Sequence, residues 1–199
     1  RTEQDNSVLK AWLNKPLLPG ERVTFRIAFA THWCMGLPRR MKLFDAWGWK
    51  HYDGVHWYPR IAVYDRRHGW DTQQHLGNEF YGDFGTFDVP LDFPHHYIVE
   101  ATGVLQNRVD CLPDELRRKL DIRNFKDKPW NERPAVITPY DPAVRKVWKY
   151  HAENVHDFAF TAWDQFVEEN ETIDGVAVRV LHHPAYRAVA DREMAAMRF

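Results

Sequence analysis

The sequence has little net charge, few cysteines and no long apolar run, and each shortage excludes a class of protein. Lys and Arg number 27 and Asp and Glu 28 in 199 residues, so the formal net charge is −1. This balance excludes the basic surface of a nucleic-acid-binding protein or a polybasic membrane anchor. No run of about 18 apolar residues predicts a membrane-spanning helix. Two cysteines, Cys34 and Cys111, exclude a disulfide-rich scaffold and leave one bridge or two free thiols open.

The motifs of common catalytic centres are also missing. Ser7 is the single serine, and neither G-x-S-x-G nor a glycine-rich phosphate loop occurs. His151 and His156 come nearest to a zinc motif, but their i, i+5 spacing turns the rings about 140° apart on a helix. The pairs His95–His96 and His182–His183 are expected to be surface residues in turns. We therefore predict no catalytic residue and no metal ligand in this chain.

Aromatic residues and prolines are abundant instead. The chain has 9 Trp, 8 Tyr and 12 Phe, together with 12 prolines spread along its length. Large flat side chains pack well between sheets, and proline is excluded from helix interiors. Both features favour a mainly β fold built from short antiparallel strands.

Alternation of polar and apolar residues and short apolar runs predict strands. The charge pattern predicts an internal helix, and a segment rich in Ala, Met, Arg and Glu predicts a C-terminal helix. The predicted strands are 22–29, 57–64, 84–90, 97–102, 156–162 and 176–181. Residues 142–152 fit a short helix or an aromatic strand equally well. The predicted helices are one internal helix at 112–128 and a C-terminal helix at 186–199, which we expect to be cut off partway.

Three segments together resemble one family. The first is W-Y-P-R-x-A-V-Y-D at 57–65. The second is G-x-E-F-Y-x-x-F-G-x-F-D-V at 77–89, followed by Y-x-V-x-A-T-G at 97–103, and the third is W-K-Y-x-A-E-N-V-H-D-F-A-F at 148–160. In this order they resemble the amino-terminal region of the aminopeptidase N family of zinc metallopeptidases, in its bacterial branch, over about residues 16–199.

The resemblance implies an antiparallel, saddle-like β-sandwich or sheet domain. It predicts a partial amino-terminal β-domain at 1–175 and the start of a catalytic domain at 176–199. That catalytic domain would supply the HExxH zinc site, which does not occur in this chain. The expected function is therefore non-catalytic: to shape the substrate cleft for a peptide and to support the chain's own catalytic domain. Zinc is expected in the parent protein and not in this part of it.

The resemblance also implies roles for particular residues. His56 lies where relatives often carry a glutamine that helps to bind the amino terminus of the substrate. A neutral imidazole could accept a hydrogen bond from that ammonium group. Arg60 is expected to anchor a carboxylate such as Asp65 or Asp88, so Arg60 and Asp65 would be structural. Trp57 is expected to pack in the core or between domains.

Two alternatives stay open at this point. One is a stand-alone β-rich module that binds carbohydrate or protein through exposed Trp47, Trp49 and Trp57. The other is a scaffold protein related to the peptidases but without zinc. A C-terminal helix with apolar Met194, Met197 and Phe199 favours the peptidase, for which we expect an exposed apolar patch. Relatives of the bacterial branch are often exported, which implies a periplasmic or extracellular protein.

Overall fold

A computed structural model describes residues 1–35, 40–46, 49–74, 81–126 and 135–198. The strands are β1 (Thr2–Asp5), β2 (Val8–Ala11), β3 (Lys42–Ala46), β4 (Trp49–Gly54), β5 (Tyr64–Asp65), β6 (Gly69–Trp70), β7 (Gly85–Pro94), β8 (Ile98–Ala101), β9 (Val104–Leu105), β10 (Arg145–Val155), β11 (Phe160–Trp163), β12 (Val167–Ile173) and β13 (Val176–His182). The helices are α1 (Arg108–Cys111), α2 (Asp114–Leu120) and α3 (Arg187–Ala196), with 3-10 turns at Ile122–Asn124 and Pro184–Tyr186.

The strands form antiparallel sheets, so the predicted mainly β class is confirmed. A four-stranded sheet has the order β3-β4-β11-β8, and a three-stranded sheet has the order β7-β10-β9. The pairs β1-β2, β5-β6 and β12-β13 form separate two-stranded sheets. The turn between residues 173 and 176 joins β12 to β13 in continuous register, so the expected domain boundary after residue 175 lies in this hairpin.

The core joins the two larger sheets to the internal helices. Trp148 and Tyr150 on β10 and Phe158 just before β11 are almost completely buried. They belong to one apolar cluster with Leu116 and Leu120 on α2. Every second residue from Trp148 to Ala152 is buried, as expected for side chains that alternate along a strand. The ambiguous segment at 142–152 is therefore a strand from Arg145 onwards.

The internal helix α2 follows the charge pattern, but it is shorter than predicted. Pro113 precedes α2, acidic residues lie in its first turn and basic residues in its last. The helix ends at Leu120 because the Asp121 side chain accepts a hydrogen bond from the backbone of Arg123 and starts a 3-10 turn. The C-terminal helix is present as α3; Phe199 lies outside the described residues. The described helices include none that is long and apolar enough to cross a membrane.

Two predicted strands are wrong. Residues 22–29 belong to no sheet and are exposed on both faces, although their sequence alternates. Of residues 57–64, only Tyr64 pairs, in the short β5-β6 hairpin. Alternation makes a segment suitable for a sheet, but a strand also needs a neighbouring strand that supplies backbone hydrogen bonds. In the described part of the chain, neither segment has such a neighbour along its length.

Candidate functional site around Asp157

The three segments that carry the family resemblance meet at one place, just before β11. Trp57 Nε1 donates a hydrogen bond of 3.2 Å to the carbonyl oxygen of Phe158. The ring of Phe87, from the second segment, lies 6.0 Å from Phe158 and 5.9 Å from Tyr58. Residues far apart in the chain therefore form one cluster.

The carboxylate of Asp157 is the centre of this cluster. Its Oδ1 accepts hydrogen bonds from Tyr58 Oη at 2.9 Å and from the backbone nitrogen of Phe158 at 2.8 Å. Its Oδ2 faces His56 Nδ1 at 3.2 Å and Arg60 Nη1 at 3.6 Å. Only 17% of the Asp157 side chain is exposed, so these groups replace most of its contact with water.

His56 lies at the rim of the cluster, with 30% of its side chain exposed. Its backbone has φ of 54°, in the left-handed region that non-glycine residues seldom adopt. This conformation directs Nδ1 towards Asp157. The other ring nitrogen, Nε2, lies 3.0 Å from Nη1 of Arg40. Both ring nitrogens are therefore in contact with charged side chains.

Arg60 contacts the same segment twice. Besides the ion pair with Asp157, its Nη2 donates a hydrogen bond to the backbone oxygen of His156. A side chain at Gly82 would overlap the Arg60 guanidinium, so glycine allows the arginine to lie here. Asp157 is thus a carboxylate partner of Arg60, whereas the sequence suggested Asp65 or Asp88.

Asp65 serves the β5-β6 hairpin. Its Oδ1 accepts hydrogen bonds from the backbone nitrogens of Arg67 at 2.8 Å and His68 at 2.6 Å, which closes the turn. Its other oxygen accepts a hydrogen bond from Tyr81 Oη. That bond lowers the pKa of the Asp65 carboxyl.

Trp57 is packed on several sides. Its ring centroid lies 5.3 Å from that of Phe160 and 5.4 Å from that of Tyr58, both in edge-to-face geometry. Phe29 approaches it at 6.2 Å. Of the tryptophans considered for a binding platform, Trp49 is half-buried and Trp47 lies outside the described residues.

Electrostatically, the cluster keeps the Tyr58 phenol neutral beside Asp157. Burial, followed by the hydrogen bond to Asp157, raises the pKa of Tyr58 to about 12. The phenol is therefore a proton donor to the carboxylate at neutral pH, and Arg60 supplies a compensating positive charge.

The histidines outside this cluster have other partners. His151 Nδ1 lies 2.7 Å from Asp88 Oδ1 and its Nε2 3.2 Å from Glu153 Oε1. These hydrogen bonds raise the pKa of the partly exposed His151. In the described part of the chain, no group of three or more His, Cys, Asp or Glu side chains is arranged to hold a metal ion.

The expectation that the adjacent histidine pairs lie on the surface is wrong for His96, His182 and His183, which are buried. His183 stacks on Trp163 at 5.3 Å between ring centroids, and His96 lies against Tyr97 in a tilted arrangement at 4.8 Å. Imidazole rings can fill aromatic clusters, which a turn pattern beside proline does not reveal. Cys34 and Cys111 are both free, so they do not form a bridge.

Sequence reasoning named His56, Trp57 and Arg60 but missed Arg40 and Asp157 as members of the cluster. Asp157 belongs to the third segment, and its position just before a buried strand is the feature of the sequence that could have indicated its role. Arg40 carries no comparable signal because its contact with His56 depends on the path of the chain between them.

Comparisons with models of protein families, with curated proteins and with solved structures found no match for this chain.

Proposed function

We propose that this chain is the non-catalytic amino-terminal part of a zinc metallopeptidase of the aminopeptidase type, where it shapes the substrate cleft. The observation that carries the proposal is the meeting of the three resembling segments at Asp157. Segments that recur together in a family are expected to contact one another, and Trp57, Tyr58 and Arg60 bind directly to residues 156–158.

In this function His56 would bind the amino terminus of the peptide. With its proton on Nδ1, beside Asp157, a neutral imidazole would offer Nε2 as the acceptor for an ammonium group, in place of the 3.0 Å contact that Nε2 makes with Nη1 of Arg40. The roles of Trp57, Arg60 and Asp65 would be structural. Trp57 and Arg60 hold residues 156–158 against the 57–60 segment, and Asp65 closes a hairpin.

The zinc would be held outside this chain by the expected catalytic domain. When bound, zinc in such a domain activates a water molecule and polarises the peptide carbonyl. The described residues of this chain supply no ligand set, so their part would be to position the peptide. The resemblance further implies that the parent protein acts in the periplasm or outside the cell.

The C-terminal helix supports the second part of the proposal, a docked catalytic domain. In α3, Ala190 and Met194 are buried and Val189 is exposed, and Tyr186 and Met197, which flank the helix, are exposed too. A helix with apolar side chains on more than one face is typical of a helix packed on two sides. We propose that the exposed side contacts the catalytic domain.

The first test is to read the gene beyond Phe199 for an in-frame HExxH and a downstream glutamate. The longer product should then hydrolyse alanine p-nitroanilide but not its N-acetylated form, and a chelator should abolish the activity. His56→Ala should raise KM about tenfold with little change in kcat, since one charge-assisted hydrogen bond is lost.

His56→Gln is the matched control, because an amide oxygen can also accept a hydrogen bond from an ammonium group. It should retain a KM close to that of the unsubstituted protein. A gene that continues without the two histidines and the glutamates, or a longer product that binds no zinc, would contradict the proposal and favour a scaffold or binding module.

A further inference from the structure

An open cavity of about 520 Å³ lies beside α2, and none of the described residues that line it belongs to the Asp157 cluster. Phe125, Val136 and Ile137 form its apolar wall. Ile137 packs against the core, whereas 52% of Val136 is exposed. Cavities of about 300–1,000 Å³ with an apolar lining and a few polar groups are typical of small-molecule sites. The cavity therefore has the size and the wall to receive an apolar chemical group.

The charged part of the lining comes from α2, which contributes Glu115, Arg118 and Lys119. These side chains share one face of the helix because they are three and four residues apart. Lys119 Nζ lies 2.9 Å from Glu115 Oε1, and this hydrogen bond lowers the pKa of the Glu115 carboxyl. Glu115 is therefore ionised at neutral pH, and Lys119 matches its charge. Arg118 leaves the cavity with one positive charge in excess.

Arg118 is the cation that a ligand in this cavity would meet. Neither of the described ion pairs within α2 includes it. After Lys119, Arg118 also lowers the pKa of Glu115, but it does so as a charge at a distance rather than as a bonded partner. Its backbone oxygen accepts a hydrogen bond from Asn124 Nδ2, which fixes the end of the helix beside the cavity. Its exposed guanidinium group has five donors in a planar fork that matches a carboxylate.

We propose that this cavity binds a small organic monoanion, whose carboxylate contacts Arg118 and whose apolar group lies against the apolar wall. The charge balance selects this class of ligand, because one unmatched cation neutralises one carboxylate. A phosphate monoester carries nearly two negative charges at neutral pH, so one of them would stay uncompensated beside Glu115. An amine would be repelled by the like charge of Arg118. The proposal goes beyond the proposed function and does not depend on it.

The test compares ligands that share an aromatic ring and differ in charge, namely phenylacetate, the neutral phenylacetamide and the cation of phenethylamine. In an NMR titration of the labelled chain, phenylacetate should bind with a Kd in the millimolar range, as expected for a molecule of this size. The signals of Phe125, Val136 and Ile137 should shift. Phenylacetamide should bind about tenfold more weakly, because the charge-assisted hydrogen bonds to Arg118 are lost. Phenethylamine should not bind, and acetate, which lacks the ring, should cause no shift at the same concentrations.

Substitutions in α2 separate the role of Arg118 from that of positive charge in general. Arg118→Ala should weaken phenylacetate binding about tenfold and remove its preference over phenylacetamide. Arg118→Lys keeps the charge but loses the planar fork, so its affinity should lie between the two. Arg117→Ala is the matched control, because Arg117 pairs with Asp114 at 3.4 Å and is not among the described residues that line the cavity. It should leave binding unchanged, and the NMR spectrum of each variant shows whether it is folded.

Each contrary result overturns a stated part of the proposal. If phenylacetate and phenylacetamide bind equally well, or if Arg118→Ala keeps the preference for the acid, the carboxylate contact is wrong. Tighter binding of benzyl phosphate than of phenylacetate would overturn the choice of a monoanion. If phenylacetate shifts no residue that lines the cavity, the cavity is not a binding site. None of these outcomes bears on the proposed function, which the gene beyond Phe199 decides.

Discussion

The side chain of Asn107 makes hydrogen bonds to β10 that the backbone of a longer β9 would otherwise make. Its Nδ2 donates to the carbonyl oxygen of Val147 at 2.9 Å, and its Oδ1 accepts from the backbone nitrogen of Lys149 at 3.0 Å. Strand β9 pairs with β10 only at Tyr150 and His151. The amide therefore takes the place of a further strand residue by satisfying both backbone groups.

We expect Asn107→Ala to lower the free energy of unfolding by about 1–3 kcal/mol, because the backbone nitrogen of Lys149 loses this partner and the oxygen of Val147 keeps the weaker hydrogen bond from the Cys111 thiol at 3.4 Å. Urea denaturation measures the change. The neighbouring Gln106 is the control, since its side chain bonds only within its own turn, to the oxygen of Val104. Equal losses for Asn107→Ala and Gln106→Ala would show that the amide does not support β10.

Asp164 is a carboxyl group that folding removes from water. Its exposed fraction is 5%, and burial raises its pKa from 3.8 to about 6. The folded state therefore binds a proton more readily than the unfolded state between these two values. Stability falls as pH rises from about 4 to about 6, and the penalty is fully present above pH 6.

Asp164→Asn should remove this penalty. At pH 7.5 the free energy of unfolding of the variant should exceed that of the unsubstituted protein by up to about 3 kcal/mol. Each unit between the pKa values of 3.8 and about 6 corresponds to about 1.4 kcal/mol. The difference should shrink as the pH falls and vanish below about pH 3, where the acid is largely neutral in both states. Urea midpoints measured across this range test the prediction. Asp83→Asn, at an exposed site, should show no such trend.

At the scale of elements, Arg179 joins the β12-β13 hairpin to the four-stranded sheet. From β13 its Nη1 donates to Glu100 Oε2 on β8 at 2.5 Å, and its Nη2 donates to Glu168 Oε2 on β12 at 2.7 Å. The Glu168 side chain is 2% exposed. The carboxylate is thus buried with the arginine as its charged partner, and removal of either partner leaves a buried charge.

We expect Arg179→Met to cost about 3–5 kcal/mol of stability, because Glu168 then stays buried without a cation. The double variant Arg179→Met with Glu168→Gln should be more stable than the single one, since no buried charge remains. A double-mutant cycle by urea denaturation measures both. If the double variant is as unstable as the sum of the single ones, the two residues act independently.

Elements whose partners lie nearby in the chain were predictable, and those that depend on distant partners were not. Charges and Pro113 indicated α2, and a valine-rich apolar run indicated β13. Residues 22–29 alternate equally well but pair with nothing, because alternation does not specify a neighbour. Likewise the resemblance indicated His56, while its contact with Arg40 arises only from tertiary packing.

At the scale of the whole molecule, exposed apolar side chains are concentrated near the amino terminus. In the first 29 residues these side chains are Leu9, Trp12, Leu13, Leu17, Leu18, Val23, Phe25, Ile27 and Phe29. The β1-β2 hairpin is attached to the rest of the chain through Gln74, which binds Ser7 Oγ at 2.5 Å and the oxygen of Asp5 at 3.1 Å. Residues 22–29 are exposed and lie outside any sheet, so we expect this segment to open locally more easily than the core.

Limited proteolysis should detect this difference. Trypsin cleaves after basic residues, and a segment must open locally to enter its active site. Arg22 and Arg26 lie in the exposed 22–29 segment, whereas Lys149 is also exposed but belongs to β10, which pairs on both sides. We expect the first cuts after Arg22 and Arg26, identified by mass spectrometry, and none after Lys149 until the protein unfolds.

The double variant Arg22→Gln with Arg26→Gln should delay the first cleavage without changing the urea midpoint, because neither arginine contributes to a sheet. The fragment that begins at Val23 or Ile27 lacks the exposed Trp12 but should keep the fluorescence of the buried tryptophans, since Trp148 lies in the core formed by the later elements. Early cleavage after Lys149 would mean that β10 opens as easily as the amino-terminal segment, and that the two large sheets do not form one stable unit.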